Sequence, residues 1–514
     1  MEFTQGLHRA VQQRPDAIAS VCAGREISFA TLQDRVARMA GGLRQLGVCN
    51  CDRVAMLSLN SDHYLSYYLA VPWAGAVVNP VNFRWSLNEI CDSLQDSQTV
   101  ALFIDDHFAE HSDKLLDRCT FLRVLVFTGS GQCPPEAVPL EQLIADNEPI
   151  DDAGIGGDEL FGIFYTGGTT GRAKGVMLSH RNICSSGLAL MAEGAFPDGA
   201  VGLHAAPMFH LADLMLTTGL LLGGGRHVML SHFKPERALT LIQEQGISDL
   251  LLVPAMLQAL VDFPGLSEYD TGGVKRIYYG ASPASESLLD RTMAAFPQAG
   301  LTQVYGMTEM AAVMTVLPPA AHAHRRLLRS GGRASVHVQV RVVDQDGKPV
   351  APGEVGEIVA RGPNTMLGYL DQPDATAEAL RDGWMRTGDL GTMDENGYLF
   401  IVDRAKDMII SGGENVYCAE VENAIAQHPA VATCAVIGIP SEQWGEAVHA
   451  VVVLKDGDTL TAEGLAEHCK TLIAGYKCPR SLEVVDTLPL SGANKVLKSE
   501  LRAPHWEDRE TQLG

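Results

Sequence analysis

The chain has 514 residues, of which 46% are apolar and 20% charged, and its formal net charge is −23 at pH 7. This size and composition are typical of a globular protein with two or three structural units and cores large enough to enclose a deep pocket. Nucleic acids and membrane surfaces are anionic, so we expect this chain to bind neither, and any phosphate site must be a local cluster of donors.

The N-terminal stretch MEFTQGLHRAVQQRPDAIAS contains no basic segment followed by an apolar one. No later run of about 18 apolar residues predicts a transmembrane helix. Eleven cysteines are scattered, and the only close pair, Cys49 and Cys51, lacks C-x-x-C spacing. Neither a zinc site nor a disulfide framework is indicated, and we expect a cytoplasmic protein with mostly reduced thiols.

Along the first part of the chain, amphipathic stretches alternate with short β-rich apolar runs. The stretches FATLQDRVARMAGGLRQLG and PERALTLIQEQG predict helices, and RVAMLSLN, TVALFID, VLVFTG and LFGIFYT predict strands. The alternation continues through DLLLVPAMLQALVDF and VKRIYYG to residue 317. It favours an α/β fold with parallel sheets covered by helices.

Beyond residue 317 the pattern changes. VHVQVRVVDQDGKPVAPGEVGEIVARG alternates with period two and contains turn sequences at QDGKP and APGE, which predicts a small antiparallel β unit. A charged cluster at 403–407 then separates a strand-like run from a last segment with its own helix and strand signals. We therefore predict a large N-terminal domain, residues 1–403, and a small α+β C-terminal domain, residues 404–514.

The stretch YTGGTTGRAKG, residues 165–175, follows a strand-like run and combines glycines with the donors Thr166, Thr169, Thr170 and Lys174. Glycines let several backbone N–H groups converge on one anion, and the side chains add further donors, so phosphate is the natural ligand. The stretch matches neither G-x-x-x-x-G-K-[ST] nor G-x-G-x-x-G. From these residues alone, a surface turn remains an equal alternative.

Six motifs occur in a fixed order along the chain. They are YTGGTTGRAKG, YYGASP (278–283), YGMTE (305–309), RTGD (386–389), DRAKDMIISGGENV (403–416) and ANKVLKSEL (493–501). In this order the sequence resembles the adenylate-forming superfamily, which includes acyl-CoA synthetases, peptide-synthetase adenylation domains and firefly-type luciferases. The resemblance implies that ATP and a carboxylate give an acyl-adenylate and pyrophosphate, after which a thiol, usually coenzyme A, displaces AMP. It also implies an AMP-binding domain and a mobile C-terminal cap domain.

The resemblance also indicates which residues bind the nucleotide. The glycine-rich loop would hold the β- and γ-phosphates, Tyr305 would stack on adenine, Thr308 would bind the α-phosphate and Glu309 would hold Mg²⁺. Asp389 matches a ribose-binding carboxylate and Arg404 an arginine that contacts ribose or phosphate. The predicted nucleotide-site positions are Thr166, Gly167, Gly168, Thr169, Thr170, Gly171, Lys174, Gly280, Ala281, Ser282, Tyr305, Gly306, Asp389 and Arg404. Gly167 and Ala173 depart from the serine and proline common in the family.

In the C-terminal domain, the resemblance implies that Lys495 bridges the substrate carboxylate and the α-phosphate during adenylation. Lys406 falls at the hinge about which the domain rotates between the two half-reactions, and Gly412 and Gly413 would then line a tunnel for the pantetheine arm. Lys498 serves as a control whose replacement by Ala is expected to be nearly silent. Cys418 stands where proline is frequent, and we have no functional interpretation of that change.

The acyl group is expected near residues 208–214, 280–282 and 306–313, whose apolar character favours a hydrophobic acid. In related enzymes an aromatic residue or histidine at the place of His210 borders the path of the carboxylate and the thiol. His204, His210 and Asp213 could also be considered as metal ligands, but their apolar setting favours a pocket wall.

Three functions are considered, and we expect the first of them, with a medium- or long-chain fatty acid as the substrate and an aryl acid as the alternative. The first is an acyl-CoA synthetase for a medium- or long-chain fatty acid, or for an aryl acid of the benzoate or cinnamate type. The second is an adenylating enzyme that loads a separate carrier protein, or a luciferase-like oxidase. The third is a non-catalytic nucleotide-binding protein. The first reading implies ATP, Mg²⁺, coenzyme A and a small carboxylic acid as ligands, and a homodimer is possible.

Overall fold

The computed structural model describes residues 1–166, 173–404, 407–411, 414–441, 443–490 and 496–506. These residues form two compact units. The first unit comprises Met1–Thr166, Ala173–Val340 and Ala360–Met385, and the second comprises Arg341–Val359 and the described residues from Arg386 onward. The boundary at residue 403 between an AMP-binding domain and a cap domain stays a prediction.

The helices of the first unit are α1 (Gln5–Gln13), α2 (Phe29–Gln45), α3 (Asp62–Trp73), α4 (Leu87–Asp96), α5 (Ser112–Arg118), α6 (Leu140–Ala145), α7 (His180–Ala192), α8 (Leu211–Gly223), α9 (Pro235–Gln245), α10 (Pro254–Val261), α11 (Glu286–Ala295) and α12 (Pro373–Ala379). The helices of the second unit are α13 (Cys418–Ile425), α14 (Ala462–Lys470) and α15 (Lys498–Trp506).

The strands of the first part of the chain are β1 (Ile18–Cys22), β2 (Arg25–Ser28), β3 (Arg53–Leu57), β4 (Val77–Pro80), β5 (Thr99–Ile104), β6 (Val124–Phe127), β7 (Ala137–Pro139), β8 (Leu160–Thr166), β9 (Lys174–Ser179), β10 (Val201–His204), β11 (Arg226–Met229), β12 (Asp249–Leu252), β13 (Arg276–Gly280), β14 (Gly300–Tyr305), β15 (Thr315–Leu317) and β16 (Arg333–Ala334). They are followed by β17 (Gln339–Val343), β18 (Gly356–Arg361), β19 (Gly368–Tyr369), β20 (Leu380–Arg381), β21 (Trp384–Met393), β22 (Leu399–Arg404), β23 (Ile409–Ser411), β24 (Glu414–Val416), β25 (Val431–Ser441), β26 (Gly445–Leu454) and β27 (Ser481–Val484).

Two large sheets organise the first unit. One has nine strands in the order β16-β15-β14-β13-β12-β10-β11-β1-β2, and its strands from β14 to β1 run parallel. The other has eight strands in the order β19-β9-β8-β4-β3-β5-β6-β7 and is parallel from β8 to β7. The predicted α/β class with helix-covered parallel sheets is therefore confirmed.

The helices begin and end where local chemistry favours it. Ser28 caps α2 by accepting a hydrogen bond from the backbone N–H of Thr31, which satisfies one of the unpaired donors of the first turn. In α9, Pro235 occupies the first turn and Gly246 ends the helix in the left-handed conformation that glycine tolerates best. Both helices lie where the amphipathic pattern predicts them.

The sheets hold separate hydrophobic cores. One core packs α9, α10 and α11 against the nine-stranded sheet through residues such as Leu239, Leu257 and Leu289, which are 0% exposed. A second packs α4 and α5 against the eight-stranded sheet through residues such as Leu94 and Leu115. Burial of these apolar side chains fixes the strands from which the loops at the candidate site emerge.

The second unit has its own sheet, in the order β24-β23-β26-β25 with β27 beside β26. Its core includes Val421, Val448 and Leu465, all 0% exposed. The small β unit predicted after residue 317 contains β17 and β18. Its predicted turns are present, because the N–H of Gly347 donates to the carbonyl of Asp344 and the N–H of Glu354 to that of Ala351. Among the described residues, no helix is long and apolar enough to cross a bilayer.

Candidate active site

The predicted site residues of the first unit cluster where parallel strands end. Gly280 is the last residue of β13 and Tyr305 the last of β14, and these two strands are neighbours with Gly280 opposite Val304. His210 lies in the segment that follows the carboxyl end of β10 in the same sheet. Ligands of open α/β sheets bind at this edge, because loops and helix N-termini from several strands converge there.

Two glycines at this edge allow very close approach of backbone segments. A Cβ atom on Gly280 would lie 2.1 Å from the carbonyl oxygen of Val304, and one on Gly306 would lie 2.2 Å from that of Ala312. No side chain fits at either position without moving backbone. Ala281 follows with a φ of 65°, in the left-handed region, and Ser282 is half-buried. At these strand ends, neighbouring backbone segments therefore lie unusually close together.

Thr308 and Glu309 lie in a single 3₁₀ turn, Thr308–Met310, directly after the loop that leaves β14. The Glu309 side chain is buried, and its Oε1 accepts a hydrogen bond of 2.7 Å from the hydroxyl of Tyr369. Burial and the neighbouring Glu309 carboxylate raise the pKa of Tyr369, so the phenol stays protonated and acts as a donor. The carboxylate predicted to hold a metal is therefore oriented by a neutral hydroxyl.

Lys174, which lies in the eight-stranded sheet, contacts the same tyrosine. It begins β9, opposite Thr166 at the end of β8, so the glycine-rich stretch connects these two antiparallel strands. Its Nζ lies 4.8 Å from the centre of the Tyr369 ring, within range of a cation–π interaction. Tyr369 itself lies on β19, which pairs with β9 opposite Val176.

Tyr369 is a site residue that the sequence analysis missed. It joins the ammonium of Lys174 to the carboxylate of Glu309, and so connects the ends of the two large sheets. The available signal was the Gly-Tyr pair in TMLGYL, a short strand far along the chain from either partner. Only the pairing of β19 with β9 brings it to the site.

Of the three residues considered as metal ligands, His204 and Asp213 are in direct contact with each other. The Nδ1 of His204 is 2.7 Å from the carboxylate of Asp213, and its Nε2 is 3.0 Å from the Nδ1 of His227, all in the interior. Burial and the adjacent His204 hold the pKa of His227 well below its usual value. His210 is half-buried and instead accepts a hydrogen bond from the N–H of Ala212 at the start of α8.

In the second unit, Asp389 and Arg404 face each other across β21 and β22. They are partners in the strand register, and the Nε of Arg404 lies 3.6 Å from the Oδ1 of Asp389. The N–H of Asp389 donates to the hydroxyl of Thr387, which stabilises the turn in RTGD. A carboxylate held beside a guanidinium in this way suits a polar ligand such as a ribose.

Next to Arg404 lies a buried polar cluster that the sequence did not predict. The Asp403 carboxylate accepts from the backbone N–H groups of Arg404 and Cys418, and burial raises its pKa to about 6. The Cys418 thiol lies 2.9 Å from the carbonyl oxygen of Asp407. Cys418 is thus buried within this cluster, although this does not explain why it stands in place of proline.

Lys498 belongs to the same cluster and is a poor control. Its Nζ lies 2.7 Å from the carboxylate of Glu422, and its side chain is only 15% exposed. Burial alone would lower the pKa of Lys498, but the charge of Glu422 raises it overall. The nearly silent effect expected of Lys498→Ala stays a prediction, but the change removes the cationic partner of Glu422 and can therefore lower stability. Lys470 is exposed and is the better control.

The remaining predicted site residues lie outside the described part of the chain. They are Gly167, Gly168, Thr169, Thr170, Gly171, Lys406, Gly412, Gly413 and Lys495.

Residues 7–370 match the model of the AMP-binding enzyme family, and residues 420–495 match that of the AMP-binding enzyme C-terminal domain. The chain is 40% identical to a feruloyl-CoA synthase from Amycolatopsis sp., over 96% of this chain and 97% of that one. It is 35% identical to a medium/long-chain fatty-acid–CoA ligase from Mycobacterium tuberculosis, over 94% and 86% of the two chains.

A solved structure with a similar fold contains the intermediate expected from such chemistry. It is the o-succinylbenzoate CoA synthetase of Bacillus subtilis in complex with an acyl-adenylate, which is 28% identical. It aligns with a TM-score of 0.86 over 99% of each chain.

Proposed function

The chain belongs to the AMP-binding enzyme family and is an AMP-forming acyl-CoA ligase, and from this premise we propose that it activates an aryl acid of the ferulate class. The observation that carries the proposal is the similarity to a feruloyl-CoA synthase, which extends along nearly the whole of both chains. The apolar stretches PMFHLADLML and MTEMAAVMTV, which we place around the acyl group, suit an aromatic ring.

The proposed reaction has two steps. A carboxylate oxygen of the acid attacks the α-phosphorus of ATP, the bond to the oxygen that bridges to the β-phosphate breaks, and pyrophosphate leaves. The thiolate of coenzyme A then attacks the carbonyl carbon of the acyl-adenylate, and the bond to the AMP phosphate oxygen breaks. The first step brings anions together, so cationic groups and N–H dipoles must stabilise the approach.

We assign the nucleotide contacts of the first unit to the residues at the strand ends. Tyr305 stacks on adenine beside Gly280, Ala281, Ser282 and Gly306, which are small enough to let the backbone approach the nucleotide closely. Thr308 binds the α-phosphate. Lys174 and the loop from Thr166 hold the β- and γ-phosphates. The contact of Lys174 and Glu309 with one tyrosine supports this assignment, because it places a cation next to the predicted metal ligand.

Glu309 is the residue that we assign to Mg²⁺. Its carboxylate is buried, and a buried anion favours a cationic partner; carboxylate oxygen is also the ligand type that Mg²⁺ prefers. The donor set therefore fits the ion. When bound, Mg²⁺ would neutralise part of the charge of the triphosphate. Tyr369 acts as a positioning residue, since its hydroxyl fixes the orientation of the carboxylate.

We assign the remaining roles to the C-terminal part of the chain. Asp389 and Arg404 bind the ribose, and their direct pairing supports a shared ligand. Lys495 neutralises charge during adenylation, Lys406 is the hinge, and Gly412 and Gly413 admit the pantetheine arm. His210 forms part of the wall between the acyl group and the thiol path.

A medium- or long-chain fatty acid is the second candidate substrate. The similarity to the fatty-acid–CoA ligase of Mycobacterium tuberculosis favours it, as does the apolar character of the stretches assigned to the acyl group. An apolar pocket accepts both an aromatic ring and an alkyl chain, so the preferred acid must be measured directly.

The test is a panel of acids scored by pyrophosphate release with and without coenzyme A. The panel contains ferulate, 4-coumarate, cinnamate, benzoate, octanoate and palmitate. We expect kcat/KM for ferulate or 4-coumarate to exceed that for the fatty acids by at least ~10-fold, because ring hydroxyls add polar contacts. If the enzyme prefers octanoate or palmitate, a fatty acid rather than an aryl acid is the substrate. Turnover indifferent to coenzyme A would favour a carrier protein or an oxidase reaction, and no release with any acid would contradict the enzyme assignment.

A further inference from the structure

One face of the sheet in the second unit carries a histidine, a serine and a glutamate side by side. β26 and β27 run parallel, with His449 opposite Ser481 and Val451 opposite Glu483. Alternate residues of a strand point to the same face, so His449, Ser481 and Glu483 share one face of this sheet. None of these residues has a role in the proposed reaction.

Helix α15 brings a second histidine to this face. Leu501 packs against a cluster that includes Ile437 and Val451, and the indole N–H of Trp506 donates to the carbonyl of Gly438 at 3.2 Å. These contacts fix the last turn of α15 on the sheet. As a result, the rings of His505 and His449 lie with their centres 5.1 Å apart.

Among the described residues, no hydrogen-bond partner faces the Nε2 of His449. His449 is 5% exposed and its Nε2 is buried, while its Nδ1 lies 2.7 Å from the hydroxyl of Ser481. The nearest oxygen of Glu483 is 3.7 Å from Nε2, too far for a hydrogen bond. When Nδ1–H donates to Ser481, the lone pair of Nε2 points at Glu483 and His505, and a buried acceptor without a partner is costly.

We propose that His449, Glu483 and His505 form a binding site for a divalent first-row transition cation, with Zn²⁺ the best match. One ligand atom from each residue lies within 4.8 Å of the other two. Two imidazole nitrogens and a carboxylate are a donor set of zinc, with water completing four ligands at roughly 2.0–2.2 Å. The Glu483 side chain is 51% exposed and can rotate inward to close the site.

Another feature of the cluster suits a metal ligand. The hydrogen bond from Nδ1 to Ser481 is the type of support that orients a coordinating histidine. The bound cation would connect α15 to β26 and β27, and so stabilise the folded second unit.

The test uses the untagged full-length protein with Cys49 and Cys51 both replaced by Ser. These two thiols are free and exposed and could bind zinc themselves. After treatment with EDTA and removal of the chelator, Zn²⁺ is titrated calorimetrically in a buffer without Mg²⁺. We expect one equivalent to bind, and we expect His505→Asn and Glu483→Gln each to weaken the affinity about 10–100-fold. Both changes lie at exposed ends of the site, so the fold is retained.

The matched control is His428→Asn. His428 and His468 form another pair of imidazole rings in the same unit, with centres 5.0 Å apart. This control should bind Zn²⁺ as the parent does. Co²⁺ added to the parent should give visible d–d absorption typical of nitrogen ligands, and His505→Asn should abolish it. The proposal is overturned if no equivalent binds, or if His505→Asn and Glu483→Gln leave affinity and spectrum unchanged.

Discussion

Tyr369 contacts two predicted site residues, one through its hydroxyl and one through its ring face. Its hydroxyl donates to the buried Glu309, and its ring face lies against the ammonium of Lys174. A phenol with a raised pKa stays protonated at neutral pH and remains a donor. One residue thus contacts both a carboxylate near the end of one sheet and a cation in the other sheet.

We expect Tyr369→Phe to impair adenylation because the change removes the donor that orients Glu309. The loss should be about 10-fold in kcat and should be accompanied by a higher Mg²⁺ requirement, as for other groups that position a metal ligand. The measurement is pyrophosphate exchange as a function of Mg²⁺ concentration. Tyr269→Phe, a change in the same unit, is the control. An unchanged Mg²⁺ dependence in Tyr369→Phe would remove Tyr369 from the positioning role.

The ends of β13 and β14 show how elements shape the candidate site. Their register places Gly280 opposite Val304, with no room for a side chain between the two strands at this point. The turn after β14 continues through Ala311 and Ala312, both with positive φ. Backbone in this conformation is unfavourable for alanine and persists where the surrounding structure imposes it, which is frequent at functional sites.

We expect Gly280→Ala to destabilise the first unit by about 1–3 kcal/mol, the typical cost of forcing an extra group into filled space. It should also raise KM for ATP, since the strand end that we assign to the nucleotide site must shift. Thermal unfolding and ATP kinetics measure the two effects. Gly273→Ala is the control, because its added Cβ would lie 3.5 Å from the nearest atom, an ordinary contact. Equal stability of the two variants would contradict the proposed crowding.

At the scale of the whole molecule, the two half-reactions make different demands on one site. Adenylation needs cationic charge near the α-phosphate, whereas thioester formation needs a path for coenzyme A. We assign the first demand to Lys495 and the second to Gly412 and Gly413, on the basis of the family resemblance. Under this assignment, the C-terminal part of the chain would take part in both reactions with different residues.

We expect Lys495→Ala to depress adenylate formation strongly while sparing thioester formation from supplied acyl-adenylate. Replacing Gly413 by a bulky residue should have the reverse effect, because a side chain would obstruct the pantetheine arm. Single-turnover assays of each half-reaction separate the two results. Lys470→Ala, at an exposed position of the same unit, is the control. Equal loss of both half-reactions in Lys495→Ala would refute its assigned role.

Some of the fold was predictable because the signals are local. Short β-rich apolar runs predicted β3, β5, β6, β8 and β13 near their observed bounds, and amphipathic patterns predicted α2 and α9. Motif order predicted the family. Tyr369, the buried cluster around Lys498 and the pairing of His204 with His227 were not predictable, because each depends on residues far apart in the chain.

The sequence by itself determined the class of fold, the family and the chemistry of the reaction, because strand periodicity and ordered motifs are properties of neighbouring residues. Tertiary structure alone decided which side chains face each other. It made Lys498 a buried ion-pair partner of Glu422, and it placed the Nε2 of His449, which has no hydrogen-bond partner in the described part of the chain, beside Glu483 and His505. The physical reason is that burial and hydrogen bonding depend on strand register and helix packing, which are set by contacts across the whole unit.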